Sequence, residues 1–518
     1  MPRTTTPGIS RRTLLLGAAT ATATAALARA APTPAYAAAR TPKVLVIGLD
    51  GTLLAKIGDA EAPRIKALMA AGLTAPSSIY ARPMAHTVSG PGWSTLLTGV
   101  WPDKHHVRDN TFSGHDFARY PDFLTRIETV RPELSTYAVT SWVALTETVF
   151  SSQVDTRFAS LHDERDIDTT RRAADQLTGA DPDAVFVQFN GVDHAGHAHG
   201  AVSQEYLDAI HDVDGLTGQL LDAIASRATY GAEDWLIIAT TDHGHTDVGG
   251  HGGSSWAERQ TFMIAAGGTV TAGSTRHDVK MPDVAATALT HLGVAIDPAW
   301  ELDGRPIQRP APDDFDTLRA ELTASADATG AGPGALSHTH TPPSGWSVDN
   351  SAMGIGGVSE WRGWSFTTDE SWTGAGRDQQ RECNVRARDI FAVADDALWS
   401  GQAPGTTGTT GTTGNTATIG AFDSTLISPD YPVTGGRTAT LTYTTFYRQV
   451  LPQKGEVLVS YDDGAPALVK TYTADVPSRT ETVSLSVPRG VTRAKVRFRY
   501  TGGTHWFWTI DGVKISGS

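Results

Sequence analysis

Three aspartates, three histidines and one serine carry the residue types and spacing for metal-assisted nucleophilic chemistry. Ser89 opens Ser89-Gly90-Pro91-Gly92-Trp93, a turn leading into a short helical stretch, where free backbone N–H groups favour an anion. A serine hydroxyl is a weak nucleophile until a base or a metal lowers its pKa. Its plain alternative role is a helix N-cap. Asp50, Asp193, His197, Asp242, His243 and His251 are the partners that favour the chemical reading. Asp193 and His197 lie four apart, and His251 sits among Gly249, Gly250, Gly252 and Gly253, which let the backbone approach closely. Carboxylate and imidazole donors together suit zinc, with manganese or magnesium as alternatives, and six ligands divide naturally into two sites of three. Taken singly, strand-end aspartates often cap helices and a lone histidine is usually structural. His194, His199 and His245 are read as lying behind the ligands or exposed.

Those residues need a scaffold. Lys43 to Leu49, Thr136 to Ser141, Val185 to Phe189 and Trp235 to Thr240 are short apolar runs, read as buried strands, with Phe262 to Ala265 as a fifth. Helical spacing fills Ala62 to Ala71 and Gln204 to Ser226. Strands alternating with helices predict a mostly parallel α/β sheet with helices on both faces. The candidate aspartates and histidines fall just after strands, at the edge where such sheets place ligands.

Around this core the 518-residue chain has room for more than one domain. Ser10-Arg11-Arg12 opens an Ala-rich apolar run, and Ala35-Tyr36-Ala37 reads as a cleavage site. Residues 1–37 are therefore expected to be a twin-arginine-type signal peptide, with a secreted mature chain and no membrane span. Removing them takes away four arginines and no acid, moving the formal charge from −14 to −18. So acidic a chain is a poor candidate for holding duplex nucleic acid. One cysteine, Cys383, excludes an intramolecular disulfide and is read as a buried apolar residue.

Several ordered motifs resemble the alkaline phosphatase superfamily, and within it the nucleotide pyrophosphatase/type I phosphodiesterase group. Val46-Ile47-Gly48-Leu49-Asp50-Gly51 resembles its first metal-ligand strand, and Ser89-Gly90-Pro91 with Leu97-Thr98-Gly99 and Pro102 its nucleophile segment. Asp193-His194-Ala195-Gly196-His197 resembles its D-x-x-G-H motif, and Thr241-Asp242-His243-Gly244 its (S/T)-D-H-G motif. Ala286 to Gly293 and Leu302-Asp303-Gly304-Arg305 resemble a closing helix and turn. The resemblance covers about residues 42–308 and implies an alkaline phosphatase-like catalytic domain. It implies one metal on Asp50, Ser89, Asp242 and His243, and another on Asp193, His197 and His251. It also implies a covalent phosphoseryl intermediate on Ser89, with Asn110 and the Gly90 amide taking up phosphoryl charge. The group usually carries threonine where this chain has Ser89, and sulfatases carry an arginine where it has Trp93. No monoesterase-type arginine is identifiable, which favours a singly charged diester. Substrate choice is expected to rest on Trp93, His105, His106 and the stretch near Trp142.

Residues 309–345 read as a linker rich in Ala, Thr, Pro and Gly, in which Asp313 to Asp327 is expected as a helix packed on the first domain. From Trp346 the pattern has period two, which predicts an antiparallel β-sandwich over 346–518, with Asp462-Asp463-Gly464 as a hairpin turn and Thr406 to Gly414 as a loop. Trp506 to Val513 resembles the last strand of jelly-roll modules of the MAM or carbohydrate-binding type. Seven of the thirteen tryptophans lie at or after Trp346. They are read as core, with cell-wall or polysaccharide contact as the alternative. The expectation is an exported two-zinc phosphodiesterase acting on a small phosphate ester. A phosphomonoesterase or phosphonate hydrolase on the same site is one alternative, and an envelope- or polysaccharide-binding protein with a vestigial metal site is another.

Overall fold

The computed structural model describes residues 40–161, 165–322, 336–401, 420–503 and 505–517. The expected leader and the Thr-Thr-Gly repeat lie outside the described residues. The first part is built on β1 (Thr41–Leu49), β2 (Gly72–Ser78), β3 (Thr136–Thr140), β4 (Thr156–Ala159), β5 (Ala184–Phe189), β6 (Glu233–Thr240), β7 (Gln260–Gly267) and β8 (Ser274–Thr275). They form one eight-stranded sheet in the order β4-β3-β5-β1-β6-β7-β2-β8. The run β4-β3-β5-β1-β6 is parallel, and β7 is antiparallel to both β6 and β2. The expected mostly parallel sheet is therefore present.

β1 explains why its sequence is apolar throughout. Val44 and Val46 enter one core layer with Trp93, Leu96 and Leu289, while Leu45, Ile47 and Leu49 enter the opposite layer with Ile65, Tyr206 and Ile210. Helices accordingly cover both faces. On the first face lie α3 (Ser89–Thr98), α5 (Phe123–Val130) and α10 (Asp283–His291). On the second lie α2 (Pro63–Ala71), α6 (Arg165–Gly179) and α8 (Gln204–Ala225). The short helices α1 (Leu54–Asp59), α4 (Pro102–His105), α7 (Gly191–His199) and α9 (Trp256–Arg259) lie between these elements in the chain.

The second part is antiparallel. One sheet holds β10 (Ser347–Asp349), β13 (Phe422–Ile427), β19 (Arg493–Gly502), β16 (Lys454–Tyr461) and β17 (Ala467–Tyr472), with β14 (Tyr431–Pro432) also on β19. The other has the order β18 (Val476–Ser486), β15 (Thr438–Tyr447), β20 (Phe507–Gly517), β12 (Ile390–Asp395), β11 (Trp364–Thr368) and β9 (His338–Thr339). The two sheets form a sandwich. Asp462 and Asp463 both take positive φ (44° and 65°) and Gly464 N–H bonds Tyr461 O, so the expected turn joins β16 to β17.

Trp346, Trp361, Trp364, Trp372, Trp399 and Trp508 are buried in the sandwich core, and Trp506 is half-buried. Cys383 is buried there too, and burial pushes its thiol up to about 11. One expectation is corrected. The segment after Asp313 is a 3-10 helix, Phe315–Ala320, that packs on the sandwich rather than on the first part. Phe315 meets Trp346 and Phe366 at 4.8 and 5.3 Å, and Trp346 Nε1 donates to Asp314 Oδ2 at 2.9 Å. Its apolar residues follow the aromatic surface there.

Candidate metal and nucleophile site

β5, β1 and β6 are neighbours in the sheet, so the residues at their C-terminal ends meet. Asp50 follows β1, α7 follows β5 and carries Asp193 and His197 one turn apart, and Asp242 and His243 follow β6. The loop after β6 returns through Gly249, Gly250 and Gly252 at φ 100°, 82° and 115°, a region closed to most side chains, and presents His251 to the cluster.

Ser89 is the first residue of α3, and its cap position is Val88, which makes no side-chain capping bond. The capping role is therefore not what the fold uses Ser89 for. Its Oγ lies 3.2 Å from His243 Nε2. The same nitrogen is 3.6 Å from Asp50 Oδ1 and 3.4 Å from Asp242 Oδ2. α3 comes this close because Gly92 has no side chain: a Cβ there would meet Asp242 O at 2.6 Å.

A second group adjoins the first. Asp193 Oδ1 lies 3.6 Å from His197 Nε2, 3.3 Å from His251 Nε2 and 2.8 Å from His245 Nε2. His197 Nε2 and His251 Nε2 are 3.0 Å apart. Asp193, His197, His245 and His251 form one candidate metal-binding group, and Asp50, Asp193 and His243 another. All seven residues expected to hold metal are thus brought together. His245 joins them: it is fully buried, not exposed, and the sequence offered no periodicity to place it.

The supports of these side chains are polar groups aimed at one end of each. Trp93 Nε1 and Gln188 Nε2 donate to Asp50 Oδ2 at 2.9 and 3.0 Å, and Gly51 N–H donates to Asp242 Oδ1 at 3.2 Å. His243 Nδ1 is 3.0 Å from Gly244 O and His251 Nδ1 is 2.8 Å from Thr87 O, which aims each Nε2 at the cluster. The other carboxylate oxygens, Asp50 Oδ1 and Asp242 Oδ2, are buried with no hydrogen-bond partner. Burial and the neighbouring Asp242 and Asp193 push the Asp50 carboxyl well above the ordinary range. Burial and Asp193 push Asp242 up to about 8. Burial acts the same way on Asp193, but hydrogen bonds from His245 and His251 outweigh it and hold that carboxyl well down. Burial and the His251 charge hold His243 well below the usual imidazole range. Unpaired buried carboxylate oxygens beside the neutral His243 imidazole fit a divalent cation, which would stabilise the carboxylates that burial disfavours.

Asn110 lies beside Ser89, exposed, and its Oδ1 accepts from Gly90 N–H at 2.7 Å. The Gly90 amide, expected to face the substrate, is thus taken by Asn110, because a first-turn N–H has no acceptor within its own helix. Two of the expected specificity residues are also corrected. Trp93 is fully buried and braces Asp50, and His105 is fully buried between Thr95 Oγ1 at 3.0 Å and Val107 N–H at 3.1 Å. His106 is exposed, and Trp142 is half-buried against Phe112 at 5.7 Å.

The sequence model of the type I phosphodiesterase / nucleotide pyrophosphatase family matches residues 44–414. The chain belongs to this family. The match runs past the eight-stranded sheet and takes in β9 to β12. Among curated relatives, the catalytic subunit of human GPI ethanolamine phosphate transferase 2 is 28% identical over 226 residues, 42% of this chain and 23% of the relative. GPI ethanolamine phosphate transferase 2 of Eremothecium gossypii is 33% identical over 107 residues, 21% of this chain and 12% of the relative. The chain thus aligns with less than a quarter of either relative. Human ectonucleotide pyrophosphatase / phosphodiesterase 5 superposes with a TM-score of 0.41 at 12% identity, covering 54% of this chain and 99% of that one.

Proposed function

We propose that this family member is an exported phosphodiesterase that works through Ser89 with two zinc ions. The observation that carries the reading is Ser89 Oγ at 3.2 Å from His243 Nε2, at a helix start, beside two buried and unpartnered carboxylate oxygens. Asp50, Ser89, Asp242 and His243 would hold one ion, and Asp193, His197 and His251 the other. When bound, such ions polarise phosphoryl oxygens and lower the pKa of a hydroxyl or water.

The chain's own groups then divide the work. Ser89 Oγ attacks phosphorus, so an O–P bond to Ser89 forms as the bond to the leaving oxygen breaks, and the serine proton passes through solvent to the departing alcohol. Water attacks the phosphoseryl group, the bond to Ser89 breaks, and the serine oxygen recovers a proton. Asn110, oriented by the Gly90 N–H on its Oδ1, turns its NH2 group to a phosphoryl oxygen as charge develops. The lack of an arginine or lysine paired with the site aspartates among the described residues suits a singly charged diester better than a dianion. Export rests on the twin-arginine-like leader and the acidic mature composition.

The test is hydrolysis of bis-p-nitrophenyl phosphate against p-nitrophenyl phosphate and p-nitrophenyl sulfate, with metal counted in the same preparation. Diester preference with zinc bound supports the reading, and monoester preference replaces it with a phosphomonoesterase. The names of the curated relatives favour a second reading, in which an alcohol takes the phosphoryl group from Ser89 in place of water. Product analysis with added ethanol or glycerol separates the two, since transfer yields a new phosphodiester.

A further inference from the structure

His245 falls outside the ligand set carried over from the family, yet it occupies the same space. It is fully buried, and its Nε2 is 2.8 Å from Asp193 Oδ1, the oxygen that His251 and His197 approach at 3.3 and 3.6 Å. With the 3.0 Å separation of His197 and His251 Nε2, these distances bracket the edge of a tetrahedron. Four donors about 2.0–2.1 Å from a zinc ion stand about 3.3 Å from one another. The four donor atoms all lie within 4.8 Å of each other.

The seat of the ring is cut for it. A Cβ on Gly196, between Asp193 and His197 on α7, would meet three His245 ring atoms at 2.8 Å. A Cβ on Gly51, beside Asp50, would meet the same ring at 2.9 Å. Both of the elements that bring ligands to the site therefore leave room for this imidazole. Its Nδ1 is buried with no hydrogen-bond partner, so only the Nε2 side is engaged, and that side faces the donors.

Resting on the two-ion reading above, we infer that His245 is a fourth protein ligand at the Asp193 centre. That centre then has four protein ligands, Asp193, His197, His245 and His251, and meets a phosphoryl oxygen or water only by expanding to five-coordinate, while the centre of Asp50, Asp242 and His243 keeps the Ser89 side for chemistry.

The experiment loads the full chain with zinc, then with cobalt(II), and compares wild type with His245→Gln and His245→Ala. The glutamine amide can still donate to Asp193 but cannot replace the imidazole. Both variants are expected to hold one of the two ions at least 100-fold more weakly, beyond the 10–100-fold typical of a residue that only orients a ligand. They should also lose the intense visible absorption of one four-coordinate cobalt. X-ray absorption of the wild-type zinc protein requires no variant, and should count four histidines per two zinc ions. Glutamine retention of both ions within tenfold and of the cobalt spectrum, or a count of three histidines, overturns the assignment while leaving two ions in place. A wild-type chain that binds fewer than two ions overturns the two-ion reading itself, and the assignment with it.

Discussion

Two sets of buried aspartates sit in this molecule, and they are treated in opposite ways. Along the seam between the α/β part and the sandwich, Asp283, Asp303 and Asp369 each meet a guanidinium. Arg388 grips both oxygens of Asp283 at 2.7 and 2.9 Å, Arg386 lies 3.1 Å from Asp303, and Arg259 lies 2.9 Å from Asp369. Burial raises the Asp303 carboxyl, but Arg386 and Lys104 more than compensate and hold it below the usual range. At the strand ends, Asp50 and Asp242 are buried more fully than Asp303 and Asp369, keep an unpartnered oxygen each, and are pushed up instead. Asp283, Asp303 and Asp369 thus receive an arginine at the seam, whereas Asp50 and Asp242 receive none. The seam pairs join the two parts, and the strand-end acids are the ones available to the cation proposed above.

The contrast breaks most visibly at Ser89. Ser89→Ala should lower diester turnover on the order of 10³-fold or more while the melting temperature stays near wild type and most of the metal stays bound through Asp50, Asp242 and His243. Turnover within tenfold of wild type would remove Ser89 from the chemistry. Next comes the response to chelation. Without an ion, the folded-state value of Asp242, about 8, stands above its unfolded value near 3.8, so the folded chain holds the extra proton between them. Stability of the chelated protein should therefore fall as pH rises through that window, and the metal-loaded protein should not show the fall. Parallel thermal melts from about pH 5 to about pH 8 with and without chelator decide it, and identical profiles would mean that the site acids are not linked to a cation.

The seam gives the third prediction. Arg388→Met leaves Asp283 buried with only the Lys280 and Arg305 backbone N–H donors and no counter-charge on it, at a cost of about 3–5 kcal/mol in denaturant unfolding, with activity per folded molecule retained. Adding Asp283→Leu should recover part of the loss, and a double variant as unstable as the single one would show that charge pairing is not what the seam supplies. The smallest effect sharpens the other side: Trp93→Phe removes the 2.9 Å bond to Asp50 Oδ2 but keeps the core filled. Metal affinity should drop about 10–100-fold in a competition titration. A change under about threefold would make Trp93 a packing residue only.

The strands around the site were legible because parallel strands covered on both faces read as unbroken apolar runs, as Val44 to Leu49 does. β2 was not, since Gly72-Leu73-Thr74-Ala75-Pro76-Ser77-Ser78 has neither a run nor an alternation. It is a strand because β7 pairs with it along its whole length, and Pro76 is tolerated where β8 no longer reaches. β12 was missed for the reverse reason: Ile390 to Asp395 is wholly buried in an antiparallel sheet, so the period of two disappears. In the site, the ligand types and their strand-end placing could be read directly. What could not be read was orientation. Trp93 looked like a pocket wall until Gly48, whose Cβ would meet the Trp93 ring at 2.3 Å, proved to be the gap it lies in. His245 looked incidental until two glycines proved to make its seat.

The position of β20 bears on how the chain is made. It lies between β15 and β12, and all five other strands of its sheet precede it in sequence. Without it that sheet is two pieces, β18-β15 and β12-β11-β9, each with a bare inner edge. As the ribosome delivers the chain, the pieces wait for residues 507–517 before they can be stitched together. During that interval both inner edges carry unpaired backbone groups, which are open to any other strand. The α/β sheet has no such dependence, because β1 to β8 are complete by residue 275. The α/β framework can therefore close early, while the sandwich packed against it is the last part of the described fold to become whole.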